Sequence, residues 1–394
     1  MCIRDRYTGG KKFDAKRKTA EKFSNGDENP VSITIVNPYS FPIRIKVIDE
    51  LPVQFQERDF SILKTIGARK TQILDFFLKP TKRGEYYFGK LNVYVSSPMR
   101  LACRRFIFEE GVMVPVYPSY LQLHKYDFMA MNNKLFEHGL KKIRRLGHTM
   151  EFEQIKEYVS GDDLRTINWK ATAKRKQLMV NQFQDERSQN IYTIIDTGRI
   201  MKMPFDGLSL LDHAVNSALI LSSVILRKND KAGMLTFSKT VGNYVPADRR
   251  PGHMQRIQEK LYNADTNYLE SDFGTLYANL RRNITQRSLL LLYTNFETLD
   301  GLKRQLPYLK AIAKSHMLVV VFFENVELDK LIHTTPEHIK QVYDQVIAEK
   351  FAFEKRLIVN ELRKYGIYSV LTKPENLTVD SINKYLEIKA RGIL

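Results

Sequence analysis

The stretch EFEQIKEYVSGDDLRTINWKATAKRKQLMVNQFQDERSQNIYTIIDTGRIM, residues 151–201, decides the architecture. It runs from a segment dense in both charge signs into IYTIID (191–196), a buried-strand pattern that ends on Asp196. A strand ending in Asp, then a short Gly-containing loop and a helix, is how an open α/β sheet presents a carboxylate at its ligand edge. The only tryptophan of the chain, Trp169, stands within the charged segment. No ordinary enzyme motif accompanies it, which points to a binding or scaffold protein.

Towards the carboxyl terminus, strand and helix patterns alternate. LSLLDHAVNSALILSSVILRK (208–228) reads as an almost wholly apolar helix. AGMLTFS (232–238) and VGNYVPA (241–247) are spaced to pair through the turn between them. PGHMQRIQEKLYNA (251–264), opened by Pro251, and FGTLYANLRRNI (273–284) are helical. SLLLLYTNF (288–296) and HMLVVVFFEN (316–325) are buried strands. A long helix over roughly 336–365 places Val342, Val346, Phe351, Phe353, Leu357, Ile358 and Leu362 close to one broad face, as expected for a helix packed on a sheet. IYSVLT (367–372) and a final helix follow. Uniformly apolar strands alternating with helices predict a mostly parallel sheet covered on both faces.

Towards the amino terminus the pattern is all-β. VSITIVN (31–37), FPIRIKVID (41–49), RKTQILDFFLKP (69–80), EYYFGKLNVYVSSP (85–98) and RRFIFEE (104–110) alternate or are rich in β-branched and aromatic residues. Turn residues such as Asn37-Pro38, Pro52, Pro80, Gly84 and Pro98 separate them, which suggests a sandwich. The expected organisation is an amino-terminal segment at 1–27, a β-sandwich-like domain at 28–125, a connector at 126–188 and an α/β domain at 189–394. MCIRDR at the start reads as a scar of truncation, with no signal-peptide pattern.

Bulk properties narrow the function classes. The 394 residues suffice for two domains, and 43% hydrophobic with 27% charged residues is ordinary for a soluble globular protein. Two cysteines, Cys2 and Cys103, make no disulfide framework and fit no metal spacing, so a reducing compartment is expected. Cys103 is expected to be a small core residue. No stretch approaches 18 continuous apolar residues, and the chain as given is expected to be soluble. The net charge of +18 is spread along the sequence and interleaved with acids, so it predicts a diffuse positive surface rather than a dedicated nucleic-acid reader.

GDDLRTINWKATAKR (161–175), the FQDER after it, IIDTGRIM, SNGDENPVSITIVN (24–37) and INKYLEIKARG (382–392) together resemble the bacterial domain-of-unknown-function family 58. The resemblance covers nearly the whole chain from about Tyr7. It implies a β-rich segment followed by a von Willebrand factor A-like, Rossmann-type α/β domain. It also implies amino-terminal membrane helices, not found in this sequence, which would hold the intact protein at the cytoplasmic face of the bacterial inner membrane. The implied partner is a MoxR-type AAA+ ATPase, together with a client protein.

Von Willebrand A domains often hold Mg²⁺ on a D-x-S-x-S loop, with a Thr and an Asp from later loops; a hard cation needs such oxygen ligands. Here the first loop is Asp196, Thr197, Gly198, Arg199 and Ile200, so neither serine is present. Thr275 matches the threonine, and the later aspartate falls at Asn295. A degenerate adhesion site without metal or other cofactor is therefore expected, with Asp196 capping the next turn or holding loop amides. The same edge, Asp196, Thr197, Gly198, Arg199, Thr275 and Asn295, is the candidate partner-binding surface.

The second candidate cluster is the signature connector: Gly161, Asp162, Asp163, Arg165, Trp169, Lys170 and Arg175. Adjacent charges can tune one another for acid–base work, yet structural ion-pair networks look the same. With no His or Cys nucleophile beside them, the expected role is a charge-paired turn with Trp169 buried as an anchor. The expected function is a non-enzymatic adaptor working with the ATPase. The alternatives are a basic binder of anionic lipid or nucleic acid, and a Mg²⁺-dependent adhesion domain.

Overall fold

The computed structural model describes residues 13–392 except 58, 97–102, 109–110, 120–150, 160–166, 176, 185–187, 206, 267 and 334–337. The chain divides into two compact units. The first comprises 1–127, 197–220 and 254–270; the second comprises 128–196, 221–253 and 271–394.

The first unit is β-rich. Its strands are β1 (Asp14–Lys18), β2 (Phe23–Ser24), β3 (Asn29–Val36), β4 (Ile43–Asp49), β5 (Ser61–Ile66), β6 (Thr71–Leu78), β7 (Gly84–Phe88), β8 (Leu91–Ser96), β9 (Cys103–Phe108) and β10 (Val112–Tyr117). They form three sheets, ordered β1-β3-β6, β2-β10-β7 and β5-β4-β8-β9. Strict alternation, as in β4 where Ile43, Ile45, Val47 and Asp49 are buried and Arg44 and Lys46 are exposed, follows from the two-residue period of a strand. Those inward residues join Ile33 and Ile35 of β3 and Leu91, Val93 and Val95 of β8 in one apolar core. A second cluster gathers Phe23, Val31, Leu78, Tyr86, Phe88, Val114 and Val116. Arg17 pairs with Asp49 at 2.5 Å with both side chains enclosed, the Arg17 guanidinium 4.8 Å from the centre of the Phe88 ring. Cys103, expected in the core, is exposed. It opens β9, the edge strand, opposite Ser96 of β8, and its position in the pleat turns it to the outer face.

In the second unit, β11 (Glu151–Glu157) and a short helix, α1 (Trp169–Arg175), precede β12 (Met179–Gln184), which pairs antiparallel with β11. The six-stranded mixed sheet begins with β13 (Asn190–Asp196). A two-strand ribbon assigned to the first unit, β14 (Pro204–Phe205) and β15 (Leu208–Ser209), leads to helix α2 (Leu210–Arg227), whose residues to 220 belong to the first unit and the rest to the second. Then come β16 (Lys231–Phe237), β17 (Val241–Asp248), α3 (His253–Tyr262, of the first unit from residue 254), α4 (Phe273–Asn283), β18 (Leu289–Tyr293), α5 (Leu299–Ser315) and β19 (Met317–Phe323). The last elements are α6 (Val326–His333), α7 (Ile339–Lys364), β20 (Tyr368–Thr372) and α8 (Leu377–Ala390).

The sheet order is β17-β16-β13-β18-β19-β20. All its neighbours are parallel except β17, which returns antiparallel beside β16. Counting only these strands, the order is 3-2-1-4-5-6, which reverses between β13 and β18. The five parallel strands are short apolar runs, and β18 and β19 are buried throughout because helices cover both faces. At β16, Gly233 leaves room for the ring of Tyr192, which a Cβ there would overlap.

Helix α2 is long and apolar enough to cross a membrane by length and composition, but 83% of it is buried in the fold. Its apolarity is explained by core packing.

Candidate functional site

The candidate site lies where the sheet order reverses, at the carboxyl ends of β13 and β18 in the second unit. Parallel strands place their following loops at one edge, and a reversal opens a crevice between two of them. Asp196 ends β13 and is fully buried. Its carboxylate accepts hydrogen bonds from the Ser271 hydroxyl and, at 2.7 Å, from the Thr294 hydroxyl. Thr294 follows β18 directly, so this last bond spans the reversal point. Through these two bonds Asp196 ties the loop before α4 to the loop after β18.

Asn295, the next residue, is also buried. Its side-chain oxygen accepts from the Lys355 ammonium of α7 at 2.7 Å. Lys355 is 8% exposed and lies 5.8 Å from the centre of the Phe322 ring. Burial pushes the Lys355 amine down from its usual range to about 8, and Glu297 and Glu324 oppose that shift. A positive side chain therefore sits beside the position where the resemblance places the last metal-binding aspartate. That is an arrangement unsuited to a divalent cation, whose charge it would oppose.

Thr275 is engaged elsewhere. Its hydroxyl donates to Asp272 at 2.6 Å, and Asp272 caps α4 by accepting from the backbone N–H groups of Gly274 and Thr275. These bonds hold the Asp272 carboxyl below its usual range, with the Thr275 hydroxyl the largest cause. In the first unit, Thr197 and Gly198 are buried, whereas Arg199 is exposed and its backbone N–H donates to the Leu269 carbonyl at 3.0 Å. Of the six candidate edge residues, Asp196, Thr197, Gly198 and Asn295 are thus buried, and the side chains of Asp196 and Asn295 are not offered to a partner in this arrangement.

Among the described residues no group of three or more His, Cys, Asp or Glu side chains is placed to hold a metal ion. The residues that complete the site are Ser271, Thr294 and Lys355, none of which the sequence singled out. Lys355 is one of two adjacent cations in FAFEKRLIVN, and its spacing of three and seven residues from Ile358 and Leu362 is the signal that sets it on the buried face. The two hydroxyls had none.

Of the connector residues, Gly161, Asp162, Asp163 and Arg165 lie outside the described residues. Lys170 and Arg175 are exposed, on a helix with no buried residue. Trp169, expected as a buried anchor, is 70% exposed. It is the first residue of α1, whose other apolar members are two alanines, too little to form a buried face. Asn168 secures the helix instead. Its side chain accepts from the Ala171 N–H at 3.0 Å and donates to Asn181 of β12 at 2.8 Å.

Helix α7 also differs from expectation. Ala348, Lys355, Ile358 and Leu362 are buried. Ile339 (78% exposed), Val342, Tyr343, Val346, Ile347, Phe351 and Phe353 (60%) are not. At roughly 100° per residue five of these, Ile339, Val342, Tyr343, Val346 and Phe353, fall within about 100° of arc on the side opposite the buried residues, whereas Ile347 and Phe351 lie on or beside the buried face. The helix therefore has two apolar faces rather than one broad face on the sheet.

Residues 154–330 match the family described as "Protein of unknown function DUF58". The "Uncharacterized protein YeaD" of Bacillus subtilis is 24% identical over 263 residues, 63% of this chain and 62% of that protein. The chain thus spans less than two thirds of this relative. Both matches support membership of the DUF58 family. Among solved structures, BatB from Bacteroides thetaiotaomicron is 13% identical and covers 52% of this chain and all of its own, with a TM-score of 0.30. The CARDB domain of PF1109 from Pyrococcus furiosus is 14% identical over 27% of this chain and 87% of its own, with a TM-score of 0.20. These overlaps are too distant to define the fold, which rests on the strand order given above.

Proposed function

We propose that the protein is a non-enzymatic adaptor that works with a MoxR-type AAA+ ATPase, its second unit a von Willebrand A-like domain whose metal site has been replaced by internal hydrogen bonds. The strand order and the antiparallel edge strand support that fold. The observation that carries the adaptor reading is the outward apolar stripe of α7. Exposed apolar patches of this kind mark protein interaction sites, because water gains by their burial. The stripe follows a helix whose other face reaches the reversal edge through Lys355, so partner contact and the state of the edge share one element. Attachment of the intact protein at the cytoplasmic face of the bacterial inner membrane belongs to the same reading.

The test is direct binding. The chain is immobilised and titrated with a purified MoxR-type ATPase of the source organism, with ATP and with ADP. Saturable binding that survives raised salt supports the proposal. Binding only to anionic vesicles or oligonucleotides, lost as salt rises, would instead assign the function to the net charge of +18.

A further inference from the structure

The outward face of β5-β4-β8-β9, in the first unit, carries a concavity of about 410 Å³ lined by Arg44, Lys46, Ile48, Leu63, Tyr94 and Cys103, among others. Pairing registers set these residues in rows. Leu63, Lys46, Tyr94 and Arg105 lie side by side across four strands, and Arg44 faces Ser96, which in turn faces Cys103. None of the lining residues is acidic. Among the described residues Arg44 and Lys46 make no ion pair, and both are exposed. Arg105 is held in place by two hydrogen bonds to the Asn92 side-chain oxygen, at 3.0 and 2.7 Å, with its guanidinium 6.0 Å from the Tyr94 ring. Beside the cations stand Leu63, 67% exposed, and Ile107 of β9, 52% exposed.

From this we infer that the face is a binding site for an extended acidic peptide segment whose carboxylates stand two residues apart, on one face of the strand. Arg44 and Lys46 are two residues apart on one strand, so their Cα atoms repeat at about 6.8 Å. An extended peptide repeats its same-face side chains at the same interval. Two glutamates two residues apart can therefore meet both cations, with their methylene groups resting on Leu63, Ile48 and Tyr94. Single-stranded nucleic acid fits less well, since it binds through several stacked aromatics and this face has one. The inference is independent of the ATPase partnership, because it concerns the other unit.

The experiment uses the full chain with Cys2 replaced by Ser and an environment-sensitive fluorophore on Cys103. It is titrated with a short peptide of alternating Glu and Val, the matching Lys and Val peptide, and an oligothymidylate of equal negative charge. The expected result is a saturable fluorescence change with the acidic peptide alone. Anisotropy of the labelled peptide against unlabelled chain should show binding at least about tenfold weaker after R44E/K46E, as opposed charges at an interface predict. Circular dichroism checks that the variant folds; if it does not, Leu63→Ser, on the same exposed face, takes its place. No saturation with the acidic peptide, equal affinity in the variant, or tighter binding of the oligothymidylate would each overturn the assignment.

Discussion

The Lys355 ammonium lies 2.7 Å from the Asn295 side-chain oxygen, beneath the edge at which the six-stranded sheet reverses its order. A buried ammonium with a neutral amide as its acceptor is costly, and burial moves its pKa down to about 8.

That cost makes stability depend on pH. Above pH 8 the folded chain releases the Lys355 proton, whereas the unfolded chain keeps it until about 10.5. The unfolded state then binds more protons, so this residue's contribution to stability rises between pH 8 and 10.5 and is flat below 8. The full span is on the order of 3 kcal/mol. Tyr86 and Tyr244, which burial pushes up to about 12, act with the opposite sign once unfolded tyrosines ionise near 10. The clean window is therefore pH 8 to 10. Urea unfolding there should show a rising trend in the parent protein, and K355M should flatten it.

Asp196 receives two hydroxyl protons in a fully buried setting. Asp196→Ala leaves Ser271 and Thr294 without their acceptor and should cost about 1–3 kcal/mol of unfolding free energy. Asp196→Asn keeps one carbonyl acceptor and should cost less. Millimolar Mg²⁺ should leave the melting temperature unchanged, whereas a rise would show a cation binding the native state.

Within the first unit, Arg83 donates to Asp212 at 2.9 Å and to the Leu261 carbonyl at 2.7 Å, joining three separate segments of the chain. Asp212 also accepts from Asn25 and Ser209. Both charged side chains are almost enclosed, so Arg83→Ala strands a buried carboxylate and should cost about 3–5 kcal/mol. Urea denaturation measures it directly. The exposed Lys303–Asp300 pair is the control and should change stability by less than about 1 kcal/mol.

The single tryptophan gives a test of the connector. With Trp169 exposed, acrylamide should quench native emission nearly as efficiently as that of the urea-unfolded chain. Strong protection in the native state would place the indole in a core.

Much of the architecture was legible because local pattern and final environment agree. Alternation in FPIRIKVID marks a strand with one buried face, and SLLLLYTNF and HMLVVVFFEN are apolar because both faces are covered. Reading failed where one residue type serves two environments. Apolar residues on α7 look alike whether they meet the sheet, like Ile358, or water, like Val346. Asp196 announces itself by ending a strand, but among its partners are a serine and a threonine, residue types common in any loop. Trp169 and Cys103 were assigned by residue type, which predicts burial, while their places at a helix start and on an edge strand expose them.

The central claim is that the outward face of α7 docks a protein partner. Val346 and Phe353 are 58% and 60% exposed, so V346E/F353E should leave the melting temperature and circular dichroism nearly unchanged. The decisive measurement is the affinity of a purified MoxR-type ATPase for the parent chain and for this double variant, on the same surface and at the same salt. The account predicts saturable binding to the parent and a loss of at least about tenfold in the variant, the scale of an interface hot spot. Equal binding by a folded variant, or no binding by the parent, would contradict it.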